Sequence, residues 1–309
     1  MRNLTKRHVS WLAVGLVIAA AVVVIVRLPG SPPDHGGAFS VTDPLATVED
    51  FAAALRPDAA YRPPEPDESR ALVDAVTRLG RQGSAASTAA AEPGPPGFRT
   101  ATGVDPSTGR PFAILASVPN DERGWGLYLV DLSTAPSISV QVPHPRADLH
   151  TESVGVALFR RLPGAVLMVA GTHRRVANGA GDVAHRKDSM FHALAEEQSR
   201  RGMPQIQLHG FDDTSLPDAD VIVSAGAGRH GKEHTEIVDR LEASGLQVCA
   251  AWRARCGQLE GRRNRQGITA AKEDATFVHV EISRTVRDGA DRWGRLVAAL
   301  AETDFRSRE

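Results

Sequence analysis

From about residue 111 to residue 302, short apolar runs alternate with longer segments whose apolar residues recur every three to four positions. That alternation limits the possible folds more than any single motif. A half-buried strand repeats every two residues and a helix every 3.6, while a strand buried on both faces is simply apolar. Residues 111–118, 125–132, 138–142, 165–170, 204–208, 220–224, 246–250 and 276–282 read as strands. Residues 153–161, 189–201, 233–244 and 291–302 read as helices. Turn-forming residues at 120–124 predict that the first two strands pair as a hairpin. Strands alternating with helices of about a dozen residues imply helices on both faces of one sheet. The expected fold is α/β and three-layered, with a mixed, mostly parallel central sheet.

The first hundred residues have a different texture. Arg2, Lys6 and Arg7 precede Val9–Val26, a run without a charge that Arg27 and Pro29 stop. A helix needs roughly 17–20 apolar residues to cross the hydrocarbon core, and basic residues before the run favour an inside N-terminus. The expectation is a transmembrane signal anchor over residues 1–27, with the remainder outside the cell membrane. Residues 28–97, rich in Pro, Gly and Ala, read as a stalk holding one amphipathic helix at 68–79. Residues 98–309 form the expected α/β domain. A net charge of -1 and only 5% aromatic residues give neither a basic field nor stacking surfaces for nucleic acid. The two cysteines, Cys249 and Cys256, exclude a cysteine-rich metal site. Outside the membrane a disulfide between them is expected.

All histidines except His8 and His35 lie from His144 onward. In open α/β sheets the site lies beyond the carboxyl ends of the strands. Three strands deliver polar groups there: one leads to His144, another to His209, and a third carries Glu281 inside Val278–Ile282. Two imidazoles and one carboxylate, with an open fourth position, are what a catalytic Zn²⁺ requires. The metal set expected is His144, Glu152 and His209. Asp148 is a second possible carboxylate and His150 a further candidate. A glutamate in an apolar strand is costly to bury without a partner, which marks Glu281 as a catalytic base. Arg186 is the expected catalytic arginine, with Arg175 and Arg284 as partners for a substrate carboxylate, because a guanidinium binds carboxylates bidentately.

Val142–Pro145 (V-P-H-P) and the D-x-H-T-E element ending at Glu152 resemble the N-formylglutamate amidohydrolase family, with its P-H-S-G-like turn and acidic helix start. Arg174-Arg175 followed by D-V-A-H-R at 182–186 is similar to that family's R-x-x-x-D-x-N-R segment. Gln207–Gly210 resembles its second histidine element, and Val280–Arg284 its late strand with a glutamate. The layout is also similar to poly-gamma-glutamate hydrolases and, more remotely, to zinc carboxypeptidases. The resemblance implies a zinc carboxypeptidase/phosphorylase-hydrolase-like fold, a Zn²⁺ cofactor and hydrolysis of an amide beside a carboxylate. N-acyl amino acids, gamma-glutamyl amides and cell-envelope peptides all fit that description. A metal-free or inactive binding module of the same fold, displayed on a stalk, is the alternative.

Overall fold

The structure is a computed structural model that describes residues 41–85 and 94–305. Among the described residues nine strands form one sheet: β1 (Phe98–Val104), β2 (Pro111–Ser117), β3 (Leu127–Asp131), β4 (Ile138–Val142), β5 (Ala165–Val169), β6 (Gln205–Phe211), β7 (Val221–Ser224), β8 (Val248–Ala250) and β9 (Phe277–Ser283). Their order across the sheet is β1-β2-β3-β5-β4-β6-β9-β7-β8. β5, β4, β6 and β9 run parallel, so their carboxyl ends share one edge.

The sheet is mixed, but the expectation that it is mostly parallel needs correction. The β1–β2, β2–β3, β3–β5 and β7–β9 pairs are antiparallel. Those joints are as numerous as the parallel ones. The reversal at β7 has a local cause. A parallel return needs a crossover of a dozen or more residues. Residues 212–220 hold only the 3₁₀ turn Asp213–Ser215, so the chain comes back antiparallel. Ser224 therefore pairs with His279, near the amino end of β9, and the glycine-rich run after it points away from the site edge.

Alternation along the central strands separates two chemistries. Val140, Val142, Ile206, Leu208, Val278, Val280 and Ile282 belong to one aliphatic core. Other strands and helices α1 (Pro44–Ala54), α3 (Thr151–Arg161), α5 (Lys232–Ala243) and α8 (Ala290–Ala301) also contribute to that core. The alternate positions carry Gln141, Gln205, Gln207, His209, His279 and Glu281, all buried. That side lies under α4 (Met190–Arg200) and α6 (Arg265–Lys272), and further along under α2 (Pro66–Gln82). The result is three layers with a polar seam inside.

The stalk expected over residues 28–97 is corrected where it is described. From Val41 the chain is part of the folded unit. Val48 and Phe51 of α1 sit in the aliphatic core, and Leu72, Ala75, Val76 and Leu79 of α2 pack with Tyr128 and Leu194. Pro44 and Pro66, which suggest linker composition, stand at the first positions of helices, where a missing N–H costs nothing. The helix expected at 68–79 extends over Pro66–Gln82. No helix among the described residues is long and apolar enough to cross a membrane. The expected anchor Val9–Val26 lies outside the described residues. Cys249 and Cys256 are joined by a disulfide, as expected.

Candidate metal centre

Three strand ends and one turn build the site. β4 leads into the turn that carries His144 and Asp148, β6 carries His209, and β9 carries His279 and Glu281. His209 and Glu281 stand opposite each other in the β6–β9 register. The turn closes on itself through the Ala147 and Asp148 N–H groups, both donating to the His144 carbonyl. Arg287, in the short helix α7 (Arg284–Asp288), fastens it from below. Its buried guanidinium donates to the carbonyls of Ile282, Phe211 and Leu149, tying the ends of β9 and β6 to the turn. Gly210 leaves the room: a Cβ there would lie 2.5 Å from the guanidinium carbon.

His144 Nδ1 lies 3.3 Å from Asp148 Oδ2, and His209 Nδ1 lies 3.5 Å from the same oxygen. The two rings meet edge to face, with centroids 5.0 Å apart. Each ring is held at its other nitrogen. His144 Nε2 is 2.9 Å from Asp182 Oδ1, and His209 Nε2 is 2.7 Å from Gln207 Oε1. Metal-bound histidines characteristically donate their second N–H to such an acceptor. The Gly210 N–H donates to Asp148 Oδ2 and fixes that carboxylate. Ligand atoms of His144, Asp148 and His209 all lie within 4.8 Å of one another, and so do those of His209, His279 and Glu281. With His209 Nε2 engaged by Gln207, its free lone pair faces the first group. Two nitrogens and a carboxylate oxygen around one point fit a divalent cation with an open position.

The electrostatics of the cluster's own side chains agree with that fit. Burial opposes protonation of His144, but Asp148 and Asp182 outweigh it and raise its pKa. Burial likewise works against ionising Asp148 and Asp182. His144, hydrogen-bonded to both, outweighs it, with Arg174 adding to the effect at Asp182, and both stay well below the usual carboxylate range. His209 is pushed down to about 4, chiefly by burial. Positive charge is thus already favoured between the carboxylates. Glu281, 8% exposed, is pushed up to about 8 by burial and then by the charge of Asp148. A nearby cation would bring it back down.

His144, His209 and Glu281 are brought together as expected. Glu152 is not. It sits in the first turn of α3, buried, with Oε2 lacking a partner, and belongs to neither cluster. The helix starts only after the ligand-bearing turn has closed, so Asp148 is the carboxylate that reaches both imidazoles. His150 is the N-cap of α3, in a left-handed conformation, and faces Asp288. The arginines also need correction. Arg186 is exposed and pairs with Asp188, Arg284 pairs with Asp288 one turn on, and Arg175 is exposed. Short-range acidic neighbours hold the first two. Arg174 is instead the arginine tied to the cluster: its Nη2 is 3.0 Å from Asp182 Oδ2, and its charge works to lower the pKa of His144, His209 and Glu281. Arg174 and Asp182 stand in the segment that carries the family resemblance but were not among the expected site residues, and His279 was missed. His279 could have been found from its two-residue spacing to Glu281 in one strand.

No protein-family model and no curated protein matches the chain. Some solved structures are similar to it in part. The zinc-free form of YNDL shares 14% identity over 63% of this chain and 89% of its own, with a TM-score of 0.38. The tripeptide-bound cell shape determinant Csd4 from Helicobacter pylori shares 12% identity over 63% of this chain and 57% of its own, at 0.37. An aspartoacylase family protein from Mesorhizobium loti shares 12% identity over 69% of each chain, at 0.34. At these scores they are partial likenesses, and the site is read from its own residues.

Proposed function

We propose that this protein is a zinc-dependent hydrolase that cleaves an amide bond next to a carboxylate, in an N-acyl amino acid, a gamma-glutamyl compound or a cell-envelope peptide. One observation carries the reading: His144 Nδ1, His209 Nδ1 and Asp148 Oδ2 converge beside the buried Glu281. The chemistry a zinc ion supplies in such a setting is acidification of a water and polarisation of a carbonyl. His144, Asp148 and His209 would hold it. Asp182 and Gln207 keep the two imidazoles turned inward. With a cation held there, Glu281 would be ionised and would take a water's proton and pass it to the leaving nitrogen. Arg174, steadied by Asp182, meets the substrate carboxylate at the rim.

The setting proposed for this activity is the outer face of a membrane, with Val9–Val26 as the anchor. The Cys249–Cys256 disulfide supports an oxidising compartment. The test is turnover of N-acyl amino acids and gamma-glutamyl peptides by the zinc-loaded full chain and by its Glu281→Gln variant. The variant is expected to keep its zinc and lose roughly 10²–10⁴-fold in rate. Equal turnover by the two proteins would remove Glu281 from the mechanism.

A further inference from the structure

The polar seam between the sheet and α4 contains amides that the proposed reaction does not itself use. Gln205, Gln141 and Gln207 are fully buried, as is Gln266 of α6, and Asn264 is nearly so. Their hydrogen bonds form one connected set ending at His209. An amide's oxygen and nitrogen are told apart only through the partners they face. Here three backbone groups, whose polarity cannot vary, decide every one.

The Ser199 hydroxyl donates to the Ala195 carbonyl, so it must accept from Gln205 Nε2, 2.7 Å away. Gln205 Oε1 then faces Gln141 Nε2 at 2.6 Å, and Gln141 Oε1 faces Gln207 Nε2 at 2.9 Å. Separately, Gln266 Nε2 donates to the Val183 carbonyl, which turns Gln266 Oε1 toward the same Gln207 Nε2. Third, the Gly267 N–H donates to Asn264 Oδ1, which leaves Asn264 Nδ2 to donate to Gln207 Oε1. All three routes make Gln207 Oε1 an acceptor, and its other partner is His209 Nε2 at 2.7 Å. Reversing the Gln207 amide would set N–H against N–H and oxygen against oxygen at several buried contacts, each worth about 1–3 kcal/mol when left unmade.

We infer that this amide relay fixes the tautomer of His209: Ala195 O, Val183 O and Gly267 N–H, acting through Gln207, place the proton on Nε2 and present the Nδ1 lone pair to the Asp148 side before any ion arrives. Gln207 is then a positioning residue and not a catalytic one. The inference rests on the reading of His209 as a metal ligand only for its consequence. The tautomer itself is a property of the metal-free chain. A correctly prepared lone pair removes the cost of moving a buried proton when a cation binds, which is how partners behind the ligands tune affinity.

The test is ¹⁵N–¹H correlation of the histidine rings in the metal-free full chain, together with a Zn²⁺ titration, on the wild type and on Gln207→Met. The wild type is expected to show His209 protonated at Nε2 alone. Gln207→Met is expected to populate the Nδ1–H form and to bind Zn²⁺ 10–100-fold more weakly. A wild-type His209 protonated at Nδ1 overturns the relay, and that spectrum decides even if the variant does not fold. An unchanged tautomer in a folded Gln207→Met also overturns it. A wild type with the Nε2–H tautomer but no affinity for Zn²⁺ leaves the relay standing and removes the zinc reading instead.

Discussion

Glu152 and Asp148 are both acidic residues close to His144 in sequence, and only their environments separate them. Asp148 receives the Gly210 N–H and faces two imidazoles. Glu152 is pushed up to about 7, first by burial, with the nearby Glu49 contributing. That shift has a sign. Below about pH 4.5 the carboxyl is protonated in both the folded and the unfolded chain. Between about 4.5 and 7 the folded chain holds a proton that the unfolded chain has released, so stability falls as pH rises. Glu152→Gln should remove this slope and be more stable than the wild type at pH 8, by about 3 kcal/mol. Urea titrations at pH 4.5 and pH 8 measure it, and an identical pH dependence in the two proteins would show that Glu152 ionises freely. His144, His209 and Glu281 were legible in the sequence because each ends or interrupts an apolar strand. The choice between Asp148 and Glu152 was not, because it depends on where the turn closes and α3 begins. Nor was the role of Gln141, Gln205 and Gln207, since a buried amide and a solvated one are the same letter.

Among the elements, α2 and the Arg287 contacts carry the clearest consequences. Helical spacing announced α2, but only the structure shows Leu72 fully buried against the sheet side that α4 also covers. Leu72→Ala should therefore destabilise the protein by about 2–5 kcal/mol, the usual cost of a buried leucine truncation. A stalk helix would show almost no change in denaturant midpoint. Arg287→Met removes three donors at once and leaves the carbonyls of Ile282, Phe211 and Leu149 without that partner. Its expected cost is at least about 1–3 kcal/mol, with weakened metal binding because the Asp148 turn is no longer fastened. A variant as stable and as tight for metal as the wild type would show the clamp to be idle. The apolar periods gave β2 to β9 and helices α3, α4, α5 and α8 to within a few residues, but missed β1, α6 and α7. They could not give the direction of β7, which the shortness of the 212–220 connection decides.

Across the whole sheet, one face is aliphatic, while the other holds a second apolar cluster under α2 and α4 and, on β4, β6 and β9, buried polar side chains directed toward a single edge. The disulfide closes an eight-residue stretch from Cys249 to Cys256 on the far side of β9 from β6. In the chain-entropy picture so short a loop contributes about 2 kcal/mol, and reduction should lower the melting temperature without emptying the metal centre. A free-thiol count of zero in denatured, unreduced protein checks that the bond forms. The central claim is that His144, Asp148 and His209 hold one zinc ion. It is tested most directly by measuring zinc bound per chain in the purified wild type, Asp148→Ala and Glu152→Ala. The expected result is about one equivalent in the wild type and in Glu152→Ala, and a loss of binding in Asp148→Ala. A wild type that binds no zinc, or an Asp148→Ala protein that keeps it while Glu152→Ala loses it, would contradict the account.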